Sequence, residues 1–194
     1  MRNERRLYGE ARSRLDFSAR PASLRSRFRP VSGMLLLALA ACIGGDERGA
    51  EVGDRAPDYS APDLSGQEIS LASQRGRVVL VNIWATWCGP CRVEMPPIQA
   101  SYERYREHGF NVLAVSIDAG PGYRENVEEF VHEHGLEFPI LLDPESRISG
   151  LLNTIGVPET FVLDKEGRIV KRLIGATDWD SPANQALIEE LLGM

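Results

Sequence analysis

Cysteine and histidine are scarce in this 194-residue chain, with three of each. Three cysteines make an awkward number for a structural disulfide framework. The three histidines, His108, His132 and His134, form no paired motif of the kind zinc sites use. Long apolar runs are missing too: the best stretch, residues 31–41, has 11 mostly apolar residues, whereas a bilayer span needs about 20. Basic residues thin out after the first 30 positions, which hold nine of the 22. Residues 42–194 carry 13 basic against 25 acidic side chains, a net charge of −12. A body this acidic offers no cationic stripe, which argues against nucleic acid as a partner. Internal repeats and low-complexity tracts are absent.

What is present begins with an export signature. The apolar stretch Val31 to Ala41 follows Arg25, Arg27 and Arg29 and suits the hydrophobic core of a signal peptide. It ends in Leu39-Ala40-Ala41-Cys42, similar to the lipobox at which bacterial lipoproteins are cut and acylated on the cysteine. Residues 1–41 are accordingly expected to be an N-terminal extension and signal, Cys42 the lipidation site, 42–51 a flexible Gly- and charge-rich tether, and 52–194 the folded domain. That organisation places the protein in the cell envelope, on the extracytoplasmic side, anchored to a membrane through lipid.

Along the domain, helix and strand periodicities alternate. Turn clusters at Ala56-Pro57-Asp58, Ala61-Pro62-Asp63 and Ser65-Gly66, with the alternating piece Gln67 to Leu71, predict an N-terminal hairpin. Val78 to Trp84 is a near-continuous β-branched run, as in a strand buried on both faces. Ile98, Tyr102 and Tyr105 recur at helical spacing up to His108-Gly109, and Val112 to Ile117 reads as a second buried strand. Arg124 to His134 predicts an amphipathic helix stopped by Gly135, and Phe138 to Leu142 a short strand. Ile148, Leu151, Leu152 and Ile155 repeat a helical template. Glu159–Asp164 and Arg168–Ile174 flank a Lys165-Glu166-Gly167 turn, and a last helix runs from about Pro182 to Leu192. The expected fold is α/β: a mixed central sheet flanked by helices on both faces.

Chemistry concentrates at Trp87-Cys88-Gly89-Pro90-Cys91. A disulfide three residues apart closes too small a loop to stabilise a fold much, so its value lies in reactivity. Cys88 sits where a buried strand hands over to a helix, and there unpaired amides and the helix dipole favour a thiolate. It is the expected nucleophile, with its sulfur exposed. Cys91, nearly one turn on, reaches the mixed disulfide and resolves it. The competing reading of a CxxC, a zinc half-site, needs two further ligands that the isolated histidines do not supply. No metal or cofactor beyond the disulfide itself is expected.

Residues 52 to about 180 resemble the extracytoplasmic thioredoxin-like proteins of the TlpA and ResA type, which are tethered thiol-disulfide reductases. The resemblance rests on Trp84-Ala85-Thr86-Trp87-Cys88-Gly89-Pro90-Cys91, on Pro96 inside the following helix, and on Gly156-Val157-Pro158-Glu159-Thr160. It implies a thioredoxin-like fold with a helix-strand insertion between 124 and 142, and a cis bond at Pro158 opposite the cysteines. Val157 and Trp87 would then border the substrate. Thioredoxin's buried Asp is replaced here by Asn82, which cannot take a proton, and Glu94 stands where the ResA-like subfamily has a glutamate near the thiols. A carboxylate close to two potential thiolates should have its pKa raised, as theirs should be.

The leading expectation is therefore a membrane-tethered reductant of disulfides in exported proteins, with apocytochrome c a candidate client and cytochrome c biogenesis the setting. Such a reductant requires an upstream membrane electron donor. Two alternatives stand beside it. A thioredoxin-fold peroxidase of the peroxiredoxin kind would place Thr or Ser three residues before the reactive cysteine, where this chain has Ala85, with Thr86 one residue off. A non-catalytic copper or haem chaperone tether would want a Met or His cluster beside the CxxC, and none is there.

Overall fold

The computed structural model describes residues 51–194. Cys42, the signal and all but the end of the tether lie outside the described residues. Seven strands and four helices follow in the order β1 (Ser60–Pro62), β2 (Glu68–Ser70), β3 (Val78–Trp84), α1 (Gly89–Tyr105), β4 (Phe110–Ser116), α2 (Tyr123–His134), β5 (Ile140–Leu142), α3 (Arg147–Leu151), β6 (Glu159–Leu163), β7 (Ile169–Ile174) and α4 (Pro182–Leu192). Among the described residues no helix is long and apolar enough to cross a membrane.

The main sheet has the order β5-β4-β3-β6-β7. β3 and β4 run parallel, as do β4 and β5, whereas β6 is antiparallel to both β3 and β7. A strand's side chains alternate between faces, so the apolar run in β3 feeds two cores. Val78, Leu80 and Trp84 join Met95 and Ile98 of α1, Phe130 of α2 and Ile188 of α4 on one face. Val79, Val81 and Ile83 meet Ala61, Tyr59, Phe161 and Ile148 of α3 on the other.

β1 and β2 form the expected hairpin, a separate two-stranded sheet. The chain around it bridges both outer strands of the main sheet, through Asp63 opposite Leu141 at β5 and Arg55 opposite Arg168 near the start of β7. Bare strand edges invite pairing with other chains, and this segment covers part of each. The insertion expected between 124 and 142 is α2 with β5. Gly135, at φ 59°, ends α2 in the left-handed region that costs glycine least.

One element falls short of its sequence pattern. The template through Ile155 predicts a longer helix, yet α3 stops at Leu151 and Ile155 stands 76% exposed. Asn153 takes a left-handed φ of 48° and turns the chain away before the template is complete.

Candidate active site

β3 ends at Trp84, and the loop Ala85–Trp87 delivers Cys88 to the start of α1. Cys88 is the residue capping that helix: its backbone is extended, and its sulfur accepts a hydrogen bond from the Cys91 amide at 3.2 Å. Pro90 lies in the first turn, where a missing N–H costs nothing. Cys88 and Cys91 are joined as a disulfide with their Cα atoms 5.3 Å apart. The helix start thus presents an amide to the sulfur that would carry negative charge after reduction.

The expectation of an exposed Cys88 sulfur is corrected: Cys88 is only 6% exposed and Cys91 fully enclosed. Bonding to Cys91 and the approach of the cis-proline segment account for this. The Val157–Pro158 bond is cis, and the Val157 carbonyl oxygen lies 3.6 Å from Cys88 Sγ. Cys88 is still the more accessible of the pair. Trp87 beside it is 67% exposed, whereas Trp84 is pure core, packed on Phe130 with ring centroids 5.1 Å apart. An open cleft of about 330 Å³ starts at Trp87 and runs between Arg92 and the α2 residues Glu129, Phe130 and Glu133.

Behind the disulfide, Glu94 is sealed from water on the buried face of α1. Its two oxygens accept from the Asn82 side-chain amide at 2.6 Å and from the Thr177 backbone amide at 3.3 Å. Burial dominates, and although both donors pull the other way, the carboxyl is pushed up to about 7. The direction agrees with the expectation from sequence; the cause here is desolvation, since the two sulfurs are joined and carry no charge. Asn82, fully buried, also donates to Thr160 Oγ1 at 2.9 Å, tying β3 to the segment after Pro158.

Three features of the site have no signature in the sequence. Asp118, at the end of β4, is 4% exposed and accepts from both the amide and the hydroxyl of Thr86, at 2.9 and 2.5 Å. Glu159, fully buried after Pro158, pairs with Arg172 Nε at 2.6 Å and accepts the Ile155 amide at 3.0 Å. Arg172 also donates to the Asn153 carbonyl at 2.9 Å. Of the histidines, His134 stacks on Phe130 at 4.0 Å, and His108 and His132 lie on the surface of the last turns before Gly109 and Gly135.

A redox disulfide capping a helix, opposite a cis-proline and set in a five-stranded mixed sheet, defines a thioredoxin-like thiol-disulfide oxidoreductase. The chain belongs to the AhpC/TSA family, whose profile matches residues 52–172. The thiol-disulfide oxidoreductase ResA of Geobacillus thermodenitrificans is 37% identical over 153 residues, covering 73% of this chain and 84% of that one. The crystal structure of a DsbE thiol:disulfide interchange protein from Chlorobium tepidum aligns with a TM-score of 0.63 at 31% identity, over 73% of this chain and 95% of the other. A secreted thiol-disulfide isomerase from Corynebacterium glutamicum aligns with a TM-score of 0.62 at 25% identity, over 73% and 86%.

Proposed function

We propose that the protein is a membrane-tethered reductant of disulfides in exported proteins, working outside the cytoplasm through a Cys88/Cys91 dithiol. The observation that carries this reading is a Gly-Pro-spaced disulfide at a helix start, with a buried carboxyl of pKa about 7 three residues beyond Cys91. Gly-Pro between the cysteines goes with potentials near thioredoxin's, about −270 mV, whereas strong oxidants reach about −120 mV.

In the reductive half-reaction the Cys88 thiolate attacks one sulfur of a client disulfide. That bond breaks, the second client sulfur leaves as a thiolate and takes a proton, and Cys88 is left in a mixed disulfide. Cys91 then gives its proton to the Glu94 carboxylate and attacks Cys88 Sγ. The Cys88–client bond breaks, the first client sulfur leaves as a thiolate and takes up a proton, and Glu94 gives up the one it received, the second proton of the client coming from solvent. The client has gained two electrons and two protons, and the pair has returned to the disulfide seen here. An upstream membrane donor must supply two electrons for the next cycle, because the glutathione pool that keeps cytosolic thiols reduced does not serve exported ones. Until resolution, Trp87 and the Val157 carbonyl border the client segment.

The tether rests on the lipobox-like Leu39 to Cys42, and the extracytoplasmic location on the signal-like stretch before it. A client such as apocytochrome c, which the resemblance to the TlpA and ResA type implies, fits a dithiol donor in that compartment. The peroxidase alternative loses ground, because position 85 is alanine and the Thr86 hydroxyl is already committed to Asp118. For the chaperone alternative, Cys-to-Ser variants retaining full activity would be the supporting result.

Equilibration of the full chain with glutathione tests the direction of flow. A potential near about −270 mV is expected, and one above roughly −180 mV would overturn the reductant reading. A Cys91→Ser variant should stall as a mixed disulfide on Cys88 and so identify the client.

A further inference from the structure

Asp118 lies 30 residues beyond Cys88 in the sequence, but it holds the loop that delivers it. Its carboxylate accepts from the Thr86 amide, the Thr86 hydroxyl and the Ser116 hydroxyl, the last at 2.8 Å, and its own amide donates back to Ser116 Oγ at 3.1 Å. On the far side of the loop the Cys88 amide donates to the Ala85 carbonyl at 3.2 Å, and Ile117 donates to the Trp84 carbonyl at 2.9 Å. Residues 84–88 are thereby fastened to the end of β4, with a buried anion one hydrogen bond from Thr86 and two residues from the nucleophile.

We propose that Asp118 is a positioning residue of the redox site, which locks Cys88 at the start of α1 through Thr86 and opposes ionisation of its thiol. An anion near a thiol disfavours the thiolate, and the Thr86 and Ser116 donors moderate that effect by spreading the charge. The other charged groups around the pair act from different sides. Glu94 lies beneath it on α1. Arg92, on the exposed side of α1, is engaged with the Phe130 ring at 5.0 Å and the Thr86 carbonyl at 3.4 Å. Glu159 is paired with Arg172, and Glu129 and Glu133 are exposed on α2, lining the same cleft as Trp87. Among the described residues, Asp118 is the one buried carboxylate hydrogen-bonded to the delivering loop.

The inference rests on Cys88 being the nucleophile, and it is tested on that sulfur directly, so failure to find a client would leave it standing. In the reduced full-length chain, the pH midpoint of Cys88 alkylation by iodoacetamide is read from the mass of its peptide. Asp118→Asn keeps an acceptor for the Thr86 amide but removes the charge, and should lower the midpoint by about half a unit to one unit. Thr86→Val keeps the charge but removes the hydroxyl that moderates it, and should raise the midpoint by about half a unit. A merely structural tie predicts that both variants shift the same way or not at all, with only a fall in Tm, and either result would overturn the proposal. If Asp118→Asn fails to fold, Thr86→Val decides alone: an upward shift supports the proposal, and an unmoved or lowered midpoint ends it.

Discussion

Glu94 and Glu159 are both sealed from water, in the two segments that enclose the disulfide, yet they are held in opposite ways. Glu159 has a cation: Arg172 sits at 2.6 Å, and together they fix the backbone at Asn153 and Ile155, just before the cis-proline. Glu94 has only neutral donors, Asn82 and Thr177, and its carboxyl is pushed up to about 7. A paired buried carboxylate serves as a strut because its charge is committed. An unpaired one is left near the balance between its two protonation states, where it can exchange a proton at ordinary pH.

The largest effect is expected where the pairing is broken. Arg172→Ala leaves Glu159 buried without its cation, with the Ile155 amide as its remaining donor, and should cost about 3–5 kcal/mol in urea denaturation. The double variant Glu159→Gln, Arg172→Met should recover most of that loss. A cost under about 1 kcal/mol for Arg172→Ala would make the pair no different from a surface one and erase the contrast.

Glu94→Gln comes next, and its effect depends on pH. Between the ordinary glutamate value of 4.5 and about 7, folded wild-type chain keeps a proton that the unfolded chain releases. The protonated carboxyl's contribution to stability is therefore fully present below 4.5 and is lost as pH rises through 7. Glutamine has no such loss, so its stability relative to wild type should rise by about 3 kcal/mol between pH 4 and pH 8. The same variant should slow dithiol turnover. A pH-independent stability difference, or unchanged kinetics across the range, would remove Glu94 from the proton pathway.

Asn82→Ala should be the mildest. Without the amide that favours the carboxylate, the limb of the pH-rate profile belonging to Glu94 should move up by roughly half a unit to one unit. A downward shift would mean that Asn82 acts on the site by another route.

How legible these features were in the sequence follows the reach of each interaction. β3, α1, α2 and the β6–β7 hairpin could be read from periodicity and their stop residues, because those signals are local. Glu94 could be found because it lies three residues from Cys91 on one helix. Asn82 stood out through a departure from the thioredoxin pattern, but its bond to Glu94 joins residues 12 apart, and the bond to Thr160 joins residues 78 apart. Asp118 with Thr86 and Glu159 with Arg172 are contacts made by strand order, which no spacing rule reports. Ile155 misled because apolar periodicity does not register a left-handed backbone at Asn153.

The shielding of Cys88 has a consequence for what the enzyme can act on. Cys88 is only 6% exposed and is flanked by a carbonyl at 3.6 Å and a projecting tryptophan, a setting that should favour a thin, extended stretch of chain over a disulfide held inside a folded domain. Access would then operate as a clock: on the proposed reading, a disulfide-containing polypeptide would be a substrate while still unfolded, and would leave the enzyme's reach once its own structure closed around the bond.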